Sequence, residues 1–490
     1  MKDVALVLCP PWSAEVPPIG LAYLKRYLEV RGKSVEALDL NLLFYRNSTD
    51  DDRGLYRFGS ARLIDLDFYQ AWRQRNAATF DESLRRILAA EAPVVGFSVN
   101  CYNKLSAMEL AREVKRLRPG TKVVFGGFAL CVNDNDRTLR YGVRIDGGLT
   151  RAGVGIDDSH YPYFEDVDCI GIGEGEVLLD ALVEALARGD EPGSVPGVVS
   201  YPYPNPAPYR LPPLVTDLDQ IPSPDYEGLD LAGYDRQVLP IIFSRGCICR
   251  CAFCTDPISW RKYRHRPPAQ IVEELRANSE RHGVDMFLVN DQIVNGDLGR
   301  LSELCDRLIE SGLGGRIRWG GNAVVRADMP AELYVKMRQA GCSWLIYGVE
   351  SGSDKVLAKM NKMFRSQAAL DKLKATHDAG IRVCINIIVG FPGEGEQEFA
   401  ETMTFLQRVA PHIDEVANLN PLIVSPRTSL ERKPERYGVR IDMNEHWKYW
   451  TMEDGSNTFP ERMARVRRVR DFFAGIGKPI NFVNELDVVC

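Results

Sequence analysis

Short apolar strands alternate with amphipathic helices along most of this chain, and that alternation leaves little besides parallel sheets covered by helices. In the first series, strands are expected at 4–9, 34–40, 94–99 and 122–127, with one helix at 20–32 and another stopped by Pro119-Gly120. Strands apolar on both faces belong inside a doubly wound sheet. From about 200 to 236 the texture changes to "YPYPNPAPYRLPPLVTDLDQIPSPDYEG", which suits an extended linker that packs on something. A second series then sets strands at 239–243, 285–289, 316–320, 344–348, 382–389 and 415–424. Six parallel strands with crossover helices make an open or partial barrel. The chain is therefore expected to be α/β: a doubly wound domain at 1–200, a linker at 201–236, a partial barrel at 237–426 and a small α-rich extension at 427–490. In both sheets, ligands belong beyond the carboxyl ends of the strands.

Composition narrows the partners. Lys and Arg number 61 against 67 Asp and Glu, so no overall field recruits nucleic acid. The basic runs "WRKYRHR" at 260–266 and "RVRRVR" at 465–470 are local. No apolar run approaches the length of a membrane span, and "MKDVALVLCPPW" begins a strand at once, so a cytoplasmic protein is expected. Its 12 cysteines lack the spacing of a disulfide framework. Cys9, Cys101 and Cys131 read as buried apolar filling, and Cys490 as a frayed end.

One stretch stands apart. "SRGCICRCAFCTDP" at 244–257 packs Cys247, Cys249, Cys251 and Cys254 onto the loop after the first barrel strand. Thiolates there suit zinc, an iron–sulfur cluster or a redox dithiol. Zinc usually takes two separated pairs, and no second pair follows. The subset Cys247, Cys251 and Cys254 has the spacing CxxxCxxC, enough for three irons of a four-iron cluster with the fourth left open.

That spacing, with Phe253 before the last cysteine on the first loop of a partial barrel, resembles the radical S-adenosylmethionine (radical SAM) superfamily. The resemblance implies a [4Fe-4S] cluster whose open iron chelates S-adenosylmethionine and whose electron releases a deoxyadenosyl radical. Cys249 is then a bystander. Other rim segments are similar: "NDQ" with Asp291, "YGVESGSD" with Glu350 and Ser351, and "VGFPGEGEQEF" with Gly390 and Pro392. The family's Gly-Gly-Glu is absent at the first of these.

Ahead of such a barrel, the doubly wound domain resembles the flavodoxin-like cobalamin-binding domain of the cobalamin-dependent radical SAM proteins. The resemblance places Ser98, Gly126, Gly127 and Glu174 near the cofactor. The family's Asp-x-His-x-x-Gly is missing, and no histidine precedes His160, so cobalt would lack a histidine lower ligand. What the resemblance implies is a C-methyltransferase acting on an unactivated carbon of a small metabolite. Radical cyclisation, ring contraction or oxidation without methyl transfer is the alternative, and a metal-binding scaffold a second one. Trp260, Trp344, Tyr347, Trp447 and Trp450 are candidate pocket walls. With no reductase domain present, a flavodoxin or ferredoxin is the expected electron donor, and 261–266 a candidate docking patch.

Overall fold

The structure is a computed structural model that describes residues 1–57, 62–100, 102–127, 166–200, 210, 212–425, 428–441 and 448–483. Cys101, Cys131, Trp447 and Cys490 lie outside these residues. The chain divides into two compact units between Gln237 and Val238.

The first unit is built on β1 (Val4–Leu8), β2 (Val35–Asp39), β3 (Val94–Ser98), β4 (Lys122–Gly126), β5 (Cys169–Gly171) and β6 (Val198–Ser200). Their order is β2-β1-β3-β4-β5-β6, parallel except for β6, which runs antiparallel to β5. Every residue of β1 is buried, as a central strand covered on both faces requires. The helix Lys104–Leu117 turns Leu105, Met108, Ala111 and Val114 inward at helical spacing, and the chain turns at Pro119-Gly120 beyond it. Because β1 lies between β2 and β3, the loops after β1 and β3 part in opposite directions. The crevice they leave is the switch point where such sheets bind ligands.

The second unit holds β7 (Leu239–Ile241), β8 (Ser244–Arg245), β9 (Arg264–His265), β10 (Met286–Val289), β11 (Arg318–Ala323), β12 (Cys342–Glu350), β13 (Arg382–Val389), β14 (Glu415–Pro421), β15 (Val439–Arg440), β16 (Thr451–Met452) and β17 (Ile480–Val483). Its main sheet runs β17-β14-β13-β12-β11-β10-β7, with every pair parallel. β7 and β17 form its two edges, so the sheet is open. Six strands were expected and seven are present, because the last strand of the C-terminal segment pairs with β14. The strand Ile480–Val483 of that segment thus extends the sheet. β11 also begins later than 316 and runs through Gly320 and Gly321. A Cβ on Gly320 would sit 2.3 Å from the backbone oxygen of Trp344, so only glycine lets β11 and β12 approach there.

Candidate active site at the carboxyl rim of the second sheet

The cysteine loop leaves β7 through the neck of a small hairpin. β8 and β9 pair antiparallel, Ser244 opposite His265 and Arg245 opposite Arg264, so residues 246–263 form one closed lobe. Gly246 has φ +87°, and a Cβ there would lie 2.4 Å from the Lys262 carbonyl oxygen. The two arms of the neck therefore touch through backbone alone.

Buried charge holds that neck. Asp291, 2% exposed, accepts hydrogen bonds from the Phe243 amide at 2.9 Å and the Ser244 hydroxyl at 2.6 Å. Burial pushes its carboxyl up to about 7. Beside it, the Gly246 amide donates to Gln292 at 2.9 Å. Each oxygen of Asp291 thus accepts from a protein donor, and the residue positions the loop. Arg266 is buried against Glu274 at 2.5 Å and donates to the Ile242 carbonyl at 2.7 Å. The basic run is likewise divided, with Arg264 and Arg266 buried and Arg261 and Lys262 exposed, so only the latter pair can form part of a docking patch.

Within the loop, Cys247, Cys251 and Cys254 are half-exposed and Cys249 is buried. A hydrogen bond from the Cys249 thiol is the main influence that holds Cys247 below its ordinary value and Cys251 down to about 7. Cys249 itself is pushed far up by the same contacts and lies 3.9 Å from the sulfur of Met363. Burial raises Cys254. Cys249 is therefore a neighbour that serves the other sulfurs. Three half-exposed thiols around one buried thiol fit a polynuclear iron–sulfur cluster held by three ligands.

Facing the loop is a charged residue that no motif announced. Lys362 donates to the Gly348 carbonyl at 2.9 Å and pairs with Glu350 at 3.2 Å, both side chains being buried. Burial works against its charge, but Glu350 and Cys251 more than offset that and hold the ammonium above its ordinary value. Its nitrogen stands 5.5 Å from the Phe253 ring centre. Glu350 has φ +69°, an unfavourable conformation for a residue with a side chain, at the point where β12 shifts register against β13. Strain of that kind persists only where the surroundings impose it. The signal in sequence was the Lys following "KMN", twelve positions after Glu350, too far for any local pattern.

Ser351 is fully buried, its hydroxyl 3.1 Å from that of Thr402 and accepting from the Ser353 amide at 3.2 Å. Its hydroxyl fixes the turn after β12. Gly390 has φ +77°; its carbonyl accepts from Asn457 at 2.9 Å and its amide donates to Glu394. Glu394 is buried, raised to about 7 by that burial, and meets Arg465 at 3.4 Å. Pro392 is buried beside Phe391, whose ring is 6.3 Å from Phe253. The Cys, Glu350 and Gly390 segments thus converge on one rim. Of the aromatic candidates, Trp450 and Tyr347 are core residues: the Trp450 indole donates to the Leu422 carbonyl at 3.1 Å and Tyr347 meets Thr376 at 2.8 Å. Trp344 packs over Gly320, and Trp260 lies half-buried with the Arg245 guanidinium 5.8 Å from its ring.

In the first unit, the rim is made of backbone. Gly127 has φ +124°, and a Cβ would come 2.4 Å from the Val99 carbonyl oxygen. The glycine lets two loops touch. Gly126 does have open space, its nearest neighbour being the Gly171 oxygen at 4.0 Å. The Asn103 amide donates to the carbonyls of Cys9 at 3.1 Å and Ser98 at 3.0 Å, tying the loops after β1 and β3 together. Ser98 and Glu174 are half-buried, Glu174 at the start of the helix Gly175–Arg188. This rim offers small residues and backbone, with open space beside Gly126 for a flat, bulky cofactor.

The radical SAM superfamily matches residues 241–406. The anaerobic magnesium-protoporphyrin IX monomethyl ester cyclase of Rubrivivax gelatinosus is 27% identical over 61% of this chain and 56% of that protein. The cytidylyl-2-hydroxyethylphosphonate methyltransferase of Streptomyces wedmorensis is 24% identical over 76% of this chain and 69% of that protein. The chain covers little more than half the length of the first curated relatives it matches. Among solved structures, the radical S-adenosylmethionine methyltransferase TsrM from Kitasatospora setae, with cobalamin and a [4Fe-4S] cluster bound, aligns with TM-score 0.66 at 18% identity, covering 90% of this chain and 80% of that one. No helix among the described residues is long and apolar enough to cross a membrane. A three-cysteine lobe at the carboxyl rim of an open parallel sheet lies within the matched segment, so residues 241–406 carry a radical SAM domain, and the fold over 90% of the chain is similar to that of a radical S-adenosylmethionine methyltransferase solved with cobalamin bound.

Proposed function

We propose that the protein is a cobalamin-dependent radical SAM methyltransferase that places a methyl group on an unactivated carbon of a small molecule. The observation that carries this reading is the lobe bearing Cys247, Cys251 and Cys254 with the buried Lys362–Glu350 pair beside Cys251. When bound, the cluster and S-adenosylmethionine supply a hydrogen-abstracting radical, and cobalamin supplies the methyl group. The three thiolates hold the cluster, and Cys249 supports their charge from within the lobe. Lys362 and Glu350 carry the opposite charges needed by the carboxylate and ammonium of an amino-acid moiety. The Gly390 loop, locked by Asn457 and Glu394, presents backbone for a purine edge. In the first unit, Ser98, Gly126, Gly127 and Glu174 border the proposed cobalamin site.

Two molecules of S-adenosylmethionine and two electrons convert a C–H bond to C–CH3. One molecule leaves as methionine and deoxyadenosine, the other as S-adenosylhomocysteine. The electrons come from a flavodoxin or ferredoxin, for which Arg261 and Lys262 are exposed contacts. The similarity to a cyclase supports a second reading, radical oxidation or ring closure without methyl transfer. Anaerobic turnover with methyl-labelled S-adenosylmethionine separates them. Deoxyadenosine formed in step with labelled product is expected; deoxyadenosine with no label in product would sink methylation.

A further inference from the structure

At the amino ends of the second sheet's strands, away from the cysteine lobe, two imidazoles and a carboxylate converge. We infer that His377, Asp378 and His412 form a site for a borderline divalent cation, zinc by preference, which ties the crossover before β13 to the crossover before β14. His377 and Asp378 end the helix Ser366–Asp378, and His412 ends the short turn Ala410–His412. One ligand atom from each lies within 4.8 Å of the others. The two rings stand 5.7 Å apart, centre to centre, and His377 Nδ1 is 3.7 Å from Asp378 Oδ1.

Imidazole nitrogen with carboxylate oxygen is a zinc donor set, and a fourth position would be taken by water. Bonds of roughly 2.0–2.2 Å place neighbouring donors about 3.4 Å apart, so the trio must close by at most about 1.4 Å. His377 and Asp378 are exposed and can supply that movement by side-chain rotation. Asp378 Oδ2 accepts from Lys374, which orients the carboxylate and leaves Oδ1 for an ion. His412 Nδ1 is buried and has no hydrogen-bond partner among the described residues. A buried ring nitrogen left so is costly unless something binds it. Since both elements lead directly into adjacent strands, the ion would brace the sheet from below without touching the chemistry above.

Equilibrium dialysis against Zn2+, with bound metal read by mass spectrometry, tests the site in the full chain. Wild type and His377→Ala/His412→Ala carry the same loop cysteines, so thiol-bound zinc cancels between them. Wild type should retain one further equivalent, and Asp378→Asn should weaken that equivalent at least about tenfold. Equal zinc content in wild type and the double variant would overturn the assignment. Should the double variant not fold, the unaltered chain still answers: Zn2+ should protect the peptides bearing His377 and His412 from diethyl pyrocarbonate. Undiminished modification of both would overturn it as well.

Discussion

The two sheets prepare their carboxyl rims by opposite means. The first closes backbone on backbone: Gly127 meets Val99, the Val99 amide donates to the Gly126 carbonyl at 2.7 Å, and Asn103 pins two carbonyls. The second is braced by buried ionisable groups: Asp291 under the cysteine lobe, Arg266 with Glu274, and Lys362 with Glu350. Breaking a buried pair by removing one partner costs about 3–5 kcal/mol, so such a rim is rigid but intolerant. A backbone rim depends instead on the few positions where a Cβ cannot fit.

Three tests press on that difference. The largest effect is expected within the side-chain rim, where Cys251→Ala should lower iron from about four per chain to near zero and abolish turnover, while Cys249→Ala keeps the iron. Iron analysis after anaerobic reconstitution decides it, and equal loss from both would remove the distinction between ligand and supporting thiol. In the backbone rim, Gly127→Ala should destabilise the first unit by about 2–4 kcal/mol in denaturant unfolding, through both the clash and the positive φ. Gly126→Ala, with room for its methyl, should cost far less. If the two are alike, that rim is not the tight backbone contact described.

The smallest effect concerns pH. Asp291 titrates near 7 in the fold, against 3.8 ordinarily, because burial disfavours its charge. Between about pH 4 and 7 the folded chain therefore holds a proton that the unfolded chain has released. Stability from this group falls as pH rises through that window, by at most about 1.4 kcal/mol per unit, and levels off above it. Asp291→Asn should flatten that slope in unfolding measured at several pH values; a slope unchanged by the substitution would show that Asp291 does not carry it.

Legibility in the sequence followed the same division. The cysteine lobe, Glu350 and the Gly390 segment were readable because their side chains recur at short spacing after apolar strands. Lys362 was not, since its partner Glu350 is brought near only by the turn and short helix between them. Asp291 and Ser351 were readable as rim residues but not in their orientation. Their hydroxyl and carboxylate groups are consumed by Ser244, Phe243 and Thr402, contacts made between elements distant in the chain. The switch-point order of the first sheet matched its expected flavodoxin-like pattern, whereas β17 joined the second sheet unannounced.

What the sequence determined by itself was periodicity and local chemistry: two runs of buried strands, and three thiols spaced for one cluster. These are set within a few residues by which faces must leave water and which atoms can be ligands. Tertiary structure alone decided which glycine touches which carbonyl, that Lys362 faces Glu350 beside Cys251, and that His377 meets His412. Those pairings depend on strand order and helix packing, where a residue's partner is chosen by the whole sheet and not by its neighbours in the chain.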